Sequence, residues 1–155
     1  MSSLIEDINK MHKKFGVHKW VKKQTKENRY DLLRKFILFR LNFLTEELDE
    51  TRRAFQTKDS EELVDGIIDL LVVGIGTLDA LGVDIEKAWK EVHTTNMSKE
   101  PGIKSGRPNP LGLPDLKKPT GWTAPNHKGN VGLIGKTFRP NDDCECHICY
   151  MRRGY

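Results

Sequence analysis

Apolar residues recur at helical spacing through the first two thirds of the chain. Leu4, Ile5, Ile8, Met11 and Phe15 make one stripe, and the spacing predicts a short helix ending near Gly16. The stretch "WVKKQTKENRY" shows no stripe and reads as a polar connection. A long helix is expected from about Asp31 to Phe55, with Leu33, Phe36, Ile37, Leu41, Leu44 and Leu48 on its buried side. After "QTKDS", Asp59 or Ser60 can cap a third helix, and Glu62 stands three residues beyond Asp59, as in a capping box. That helix runs to about Leu81 and stops at Gly82. It is apolar nearly all round, as in a helix packed on several sides, and its Gly74 and Gly76 can admit a neighbouring helix. Asp84 caps a fourth helix, about Ile85 to Thr95, with Ala88, Trp89 and Val92 inward.

The texture changes after Glu100. "PGIKSGRPNPLGLPDLKKPTGW" is rich in Pro and Gly and reads as a loop too long for a simple connector. The expected organisation is an all-α, four-helix bundle over residues 1–100, a loop or lid segment over 101–128, and an irregular C-terminal tail over 129–155.

Composition narrows the function classes. With 155 residues, the chain can build one domain with a core. No apolar run is long enough to cross a membrane, and the acid-bearing N-terminus does not read as a secretory signal, so a cytoplasmic protein is expected. The net charge of +4 is segregated: acids gather between Glu46 and Glu91, bases at Lys13–Lys26 and beyond Lys99. Basic tails can bind nucleic acid, but a solvated surface is the simpler reading, and nucleic acid is not the expected partner. Cys144, Cys146 and Cys149 all fall in "CECHIC". With His147 or His127 they could form a zinc site, but a zinc ribbon needs a second Cys pair, and free thiols are the simpler reading.

The acids raise the sharper question. "TEELDE" brings Glu46, Glu47, Asp49 and Glu50 onto the long helix, with Glu47 and Glu50 three apart on one face. The next helix carries Glu62, Asp65 and Asp69 in one stripe, and Asp69 lies within an apolar run. Two antiparallel helices could therefore present facing rows of carboxylates, which repel unless a cation lies between them. Mg²⁺ or Mn²⁺, hard cations that take oxygen ligands, would neutralise such rows and could share a triphosphate. Bland alternatives stand beside this: "EELDETRR" as a solvated face, Glu46 and Glu50 paired with Arg53, Glu62 as a cap, and Asp65 exposed near the helix start.

"EELDE", then "DGIIDLLVVGIGTLDALG", then "EVHTTNMSK" resembles the all-α nucleoside triphosphate pyrophosphatases, the MazG-like enzymes with their dUTPase-, dCTPase- and phosphoribosyl-ATP pyrophosphohydrolase-like branches. The resemblance covers about Asp31 to Trp122. Its first motif falls on Glu46, Glu47 and Glu50. Its second, Glu-x-x-Asp, fits in either of two registers. Aligning on "DLL" uses Asp69 and leaves Gly66 at the Glu position, with Asp65 as substitute; the other register uses Glu62 and Asp65. The Asp65 and Asp69 register is preferred.

The resemblance implies Mg²⁺-dependent hydrolysis of a nucleoside triphosphate to monophosphate and pyrophosphate, in sanitation or control of the nucleotide pool. It implies Glu46 or Glu47 as general base and Glu47, Glu50, Asp65 and Asp69 as metal ligands. Asn96 and Lys99 match substrate-contacting positions. Arg40 could reach phosphate, and "KKPTGW", with Lys117, Lys118 and Trp122, resembles a closing loop; an anchoring Trp122 packed on the helices is the alternative. A homodimer or homotetramer is also implied. Competing readings are phosphoribosyl-ATP hydrolysis and a non-enzymatic helical scaffold or nucleic-acid-binding protein.

Overall fold

A computed structural model describes residues 3–103, 106, 111 and 115–138. The helices are α1 (Leu4–Lys14), α2 (Val17–Lys26), α3 (Tyr30–Thr57), α4 (Ser60–Ala80), α5 (Ile85–Met97) and the single turn α6 (Ile134–Thr137). The strands β1 (Glu100–Gly102) and β2 (Asp115–Lys117) pair antiparallel.

Local chemistry sets the boundaries. Ser3 and Glu6 form a reciprocal capping box at the start of α1. Asp59 caps α4 by accepting from the Glu62 amide, and Asp84 does the same for α5 through Lys87. At the end of α4 the amides of Val83 and Gly82 return to the carbonyls of Leu78 and Asp79, with Gly82 at φ +70°, a left-handed closure that suits glycine.

The α3–α4 hairpin is the frame, and α1 and α2 fold back across it. Gly66 lets the two long helices meet, because a Cβ there would lie 2.5 Å from Thr51 Oγ1. Gly76 does the same for α1, since a Cβ would stand 3.0 Å from the His12 ring and from Arg40. Gly74 has open space and serves no such contact. Val21, Leu33 and Ala80 form a buried cluster, flanked by Val17, Tyr30, Phe36 and Leu133.

Several expectations differ from the structure. The stretch expected as a polar connection is mostly helix α2: Val17, Val21 and Gln24 supply a narrow inward stripe on an otherwise lysine-rich segment. The bundle therefore has five helices of more than one turn among the described residues, not four. Trp89, expected inward, is 67% exposed and stacks on His93 one turn later on the same helix. Leu41 and Leu48 also face outward. The long loop carries the β1–β2 pair, with Glu100 opposite Lys117. The expected tail begins with ordered chain. Asn130 exchanges two hydrogen bonds with the Asp84 backbone, and the Leu133 amide donates to the Leu81 carbonyl. Cys144, Cys146 and Cys149 lie outside the described residues. No helix among the described residues is long and apolar enough to cross a membrane.

Candidate active site

Glu47 is the centre of the acidic constellation. It is 9% exposed on the face of α3 that meets α4, and Thr51 Oγ1 donates to its carbonyl one turn on. Burial, and then the negative charges of Asp69, Glu50, Glu46 and Asp65, push its pKa above the ordinary carboxylate value. All four of these charges are negative, and carboxylates gathered in this way repel one another unless a cation lies between them.

Those partners are Asp65 and Asp69 of α4, the pair of the preferred register. Asp69 is half-buried and Asp65 exposed. Gly66 fits this register physically: it is buried against Thr51, and the 2.5 Å approach leaves no room there for a glutamate. Glu62 lines a cleft farther along the hairpin with Glu50, Arg53, Ala54, Thr57 and Asp59, and its backbone amide is held by Asp59. Glu50 thus belongs to both groups, while Asp49 turns aside to pair with Arg52 at 3.0 Å. Glu47 and the four carboxylates that act on it offer oxygen donors alone, the chemistry that suits Mg²⁺ or Mn²⁺.

A second group forms where α5 ends. Trp122 Nε1 donates to the Thr95 carbonyl at 3.0 Å, Lys118 Nζ lies 4.4 Å from its ring centroid, and Lys99 Nζ lies 5.6 Å away. Lys99 also donates to Asn96 Oδ1 at 2.8 Å. Asn96, Lys99, Lys118 and Trp122 are thereby gathered at one place, from a helix end and a loop separated in sequence. Lys117 stands in β2 opposite Glu100.

Arg40 belongs to neither group. Its Nε donates to Thr77 Oγ1 at 3.1 Å and its Nη2 to the Val73 carbonyl at 3.0 Å, which commits it to α4. Burial holds its pKa below the usual arginine value.

One cluster escaped sequence reasoning. Asp79 Oδ2 lies 2.8 Å from His12 Nδ1 and 2.7 Å from His18 Nε2, and Asn9 Nδ2 donates to Asp79 Oδ1 at 2.7 Å. The signal available was the spacing of Ile8 and His12, four apart on the inward face of α1.

With this geometry in view, comparison with family models gives a match to the phosphoribosyl-ATP pyrophosphohydrolase model over residues 10–96, more than half of the chain. Comparison with curated proteins and with solved structures gives no match.

Proposed function

The chain belongs to the phosphoribosyl-ATP pyrophosphohydrolase family, and we propose that it is a Mg²⁺-dependent pyrophosphohydrolase that converts a nucleoside triphosphate to its monophosphate and pyrophosphate. The observation that carries this is the covered Glu47 carboxyl on the α4-facing side of α3, whose pKa is raised by burial and by the negative charges of Asp69, Glu50, Glu46 and Asp65. Glu47, Glu50, Asp65 and Asp69 are the residues that would hold the metal. When bound, Mg²⁺ supplies stabilisation of negative charge on the phosphate oxygens and the leaving pyrophosphate.

The protein's own groups do the rest. Glu46, exposed beside Glu47, takes the proton of the attacking water as the α–β anhydride P–O bond breaks. Lys99 and Lys118 offer mobile positive charge to the polyphosphate, Asn96 offers an amide to sugar or phosphate oxygens, and the Trp122 face covers the nucleotide. Arg40 acts at one remove, fixing α3 against α4 so that the two acidic rows stay in register.

Two copies associate in this reading. Leu38, Leu41, Leu48 and Phe55 on α3, with Val64, Ile67, Ile68 and Leu71 on α4, are exposed and recur at helical spacing, an apolar surface that a second copy would bury.

The family description itself favours a second substrate, phosphoribosyl-ATP, which carries the same α–β anhydride. A panel of the ribo- and deoxyribonucleoside triphosphates and phosphoribosyl-ATP, each with Mg²⁺, separates the readings by which one yields pyrophosphate fastest. No product from any member, with salt-dependent retention of DNA, would instead support the scaffold reading.

A further inference from the structure

The His12–Asp79–His18 cluster stands apart from the acidic constellation, and the proposed chemistry leaves it unused. Its donor atoms come from α1, α2 and α4. One ring nitrogen each of His12 and His18 and a carboxylate oxygen of Asp79 all lie within 4.8 Å of one another. The side chains of His12 and Asp79 are only 5% and 8% exposed, and His18 is 28% exposed, so the group is covered from within and open on the His18 side.

The arrangement is more specific than a hydrogen-bonded tie requires. Both imidazoles converge on the same oxygen, Oδ2, while Asn9 occupies Oδ1. An amide on the non-ligating oxygen is the outer-shell support that ligating carboxylates commonly have. The His12 ring is pressed on the α4 backbone at Gly76, where a Cβ would stand 3.0 Å from its Cε1, so its orientation is fixed before any ligand arrives.

We propose that His12, His18 and Asp79 form a transition-metal site of the zinc class, which fastens the α1–α2 hairpin to α4. Two imidazoles and a carboxylate suit Zn²⁺ and its neighbours and do not suit Mg²⁺. Tetrahedral zinc separates its nitrogen and oxygen ligands by about 3.3 Å. The two N···O distances of 2.8 and 2.7 Å therefore open by about half an ångström on metal entry. His18 can supply that movement, because α2 starts afresh after Gly16, which sits at φ +78°. Water takes the fourth position on the open side. The protein then sorts two kinds of cation: oxygen-loving Mg²⁺ at the acids, and a nitrogen-preferring metal at the hairpin.

The test uses the full-length chain carrying C144S, C146S and C149S, so that tail thiols do not compete, and E47Q with D69N, so that the acids do not. After chelation and dialysis, Zn²⁺ is titrated by calorimetry and Co²⁺ by visible absorption. One ion per chain is expected, with d–d bands and no thiolate charge-transfer band. His18→Gln should abolish saturable binding, and Asn9→Ala should weaken it by about 10- to 100-fold, the range for outer-shell changes at metal sites. X-ray absorption of the chain carrying C144S, C146S and C149S, with native acids and one equivalent of zinc, should show two imidazoles in the first shell, and circular dichroism of the same sample should show the helical content of the native chain. Absence of stoichiometric uptake, uptake unchanged by His18→Gln, or a first shell of sulfur or of oxygen alone would overturn the proposal. Because the readouts are binding and spectroscopy, they stand or fall separately from the hydrolase reading.

Discussion

At the residue scale, Glu47 is the carboxyl the fold accommodates least well in its ionised form. Its pKa is raised by burial and by four like charges. A carboxyl whose folded pKa lies above its unfolded value weakens the fold as pH rises past the unfolded value, so at neutral pH the metal-free protein carries repulsion that a cation would relieve. Glu47→Gln is therefore expected to keep or raise the melting temperature without metal at neutral pH, and to lose most of the stabilisation that Mg²⁺ gives the wild type. Its turnover should fall by about two orders of magnitude, the scale for removing one electrostatic stabiliser of a transition state. Differential scanning calorimetry with and without Mg²⁺, beside steady-state assays, checks both.

Asp79 has the opposite sign. Its folded pKa is lowered overall, so its contribution is present above the unfolded value of about 3.9 and is lost as pH falls through the folded one. In chelator-treated protein, Asp79→Ala leaves Asn9, His12 and His18 without their acceptor and should cost about 2–4 kcal/mol at neutral pH. Urea titrations across the acid range should also show a flatter loss of stability than in wild type. The acids were legible in the sequence because carboxylates in an apolar run demand a reason. The histidine cluster was not, because it joins residues 67 and 61 positions apart, and one sequence does not state which distant side chains meet.

At the scale of elements, capping residues and stop glycines were readable, and the extents of α1, α3, α4 and α5 follow the hydrophobic pattern. The segment α2 escaped because lysines hide a stripe of only Val17, Val21 and Gln24. Trp89 misled for a different reason: apolar character does not distinguish core from a ring stacked on a surface histidine. The loop after α5 is tied down at Trp122, whose indole N–H is donated to Thr95. Trp122→Phe keeps a ring for Lys118 but removes that donor. If the tie places the ring for substrate, the variant should raise KM several-fold with little change in kcat, whereas Trp122→Ala should lower both binding and turnover. Hydrogen exchange over residues 115–122, with a non-hydrolysable triphosphate and Mg²⁺ added together, reports the same coupling as increased protection.

At the scale of the molecule, the α3–α4 hairpin was expected to bury a full apolar face, yet Leu41 and Leu48 lie in the light. Helical period tells which residues share a face; it does not tell whether that face meets its own chain or a second copy. The proposed dimer would close on these stripes and bury them. Leu41→Glu or Ile68→Glu should convert it to monomer in light scattering, and retained helicity would show that the monomer still folds. A chain already monomeric as wild type would contradict this assembly.

The central claim is that the acids of α3 and α4 direct cleavage of one particular bond. Phosphorus NMR of the products of the preferred triphosphate, with Mg²⁺, tests it most directly. The account predicts nucleoside monophosphate and pyrophosphate in equal amounts, both absent when Mg²⁺ is chelated and nearly absent with Glu47→Gln. Release of inorganic phosphate and a nucleoside diphosphate, or unchanged products from the Glu47→Gln protein, would contradict it.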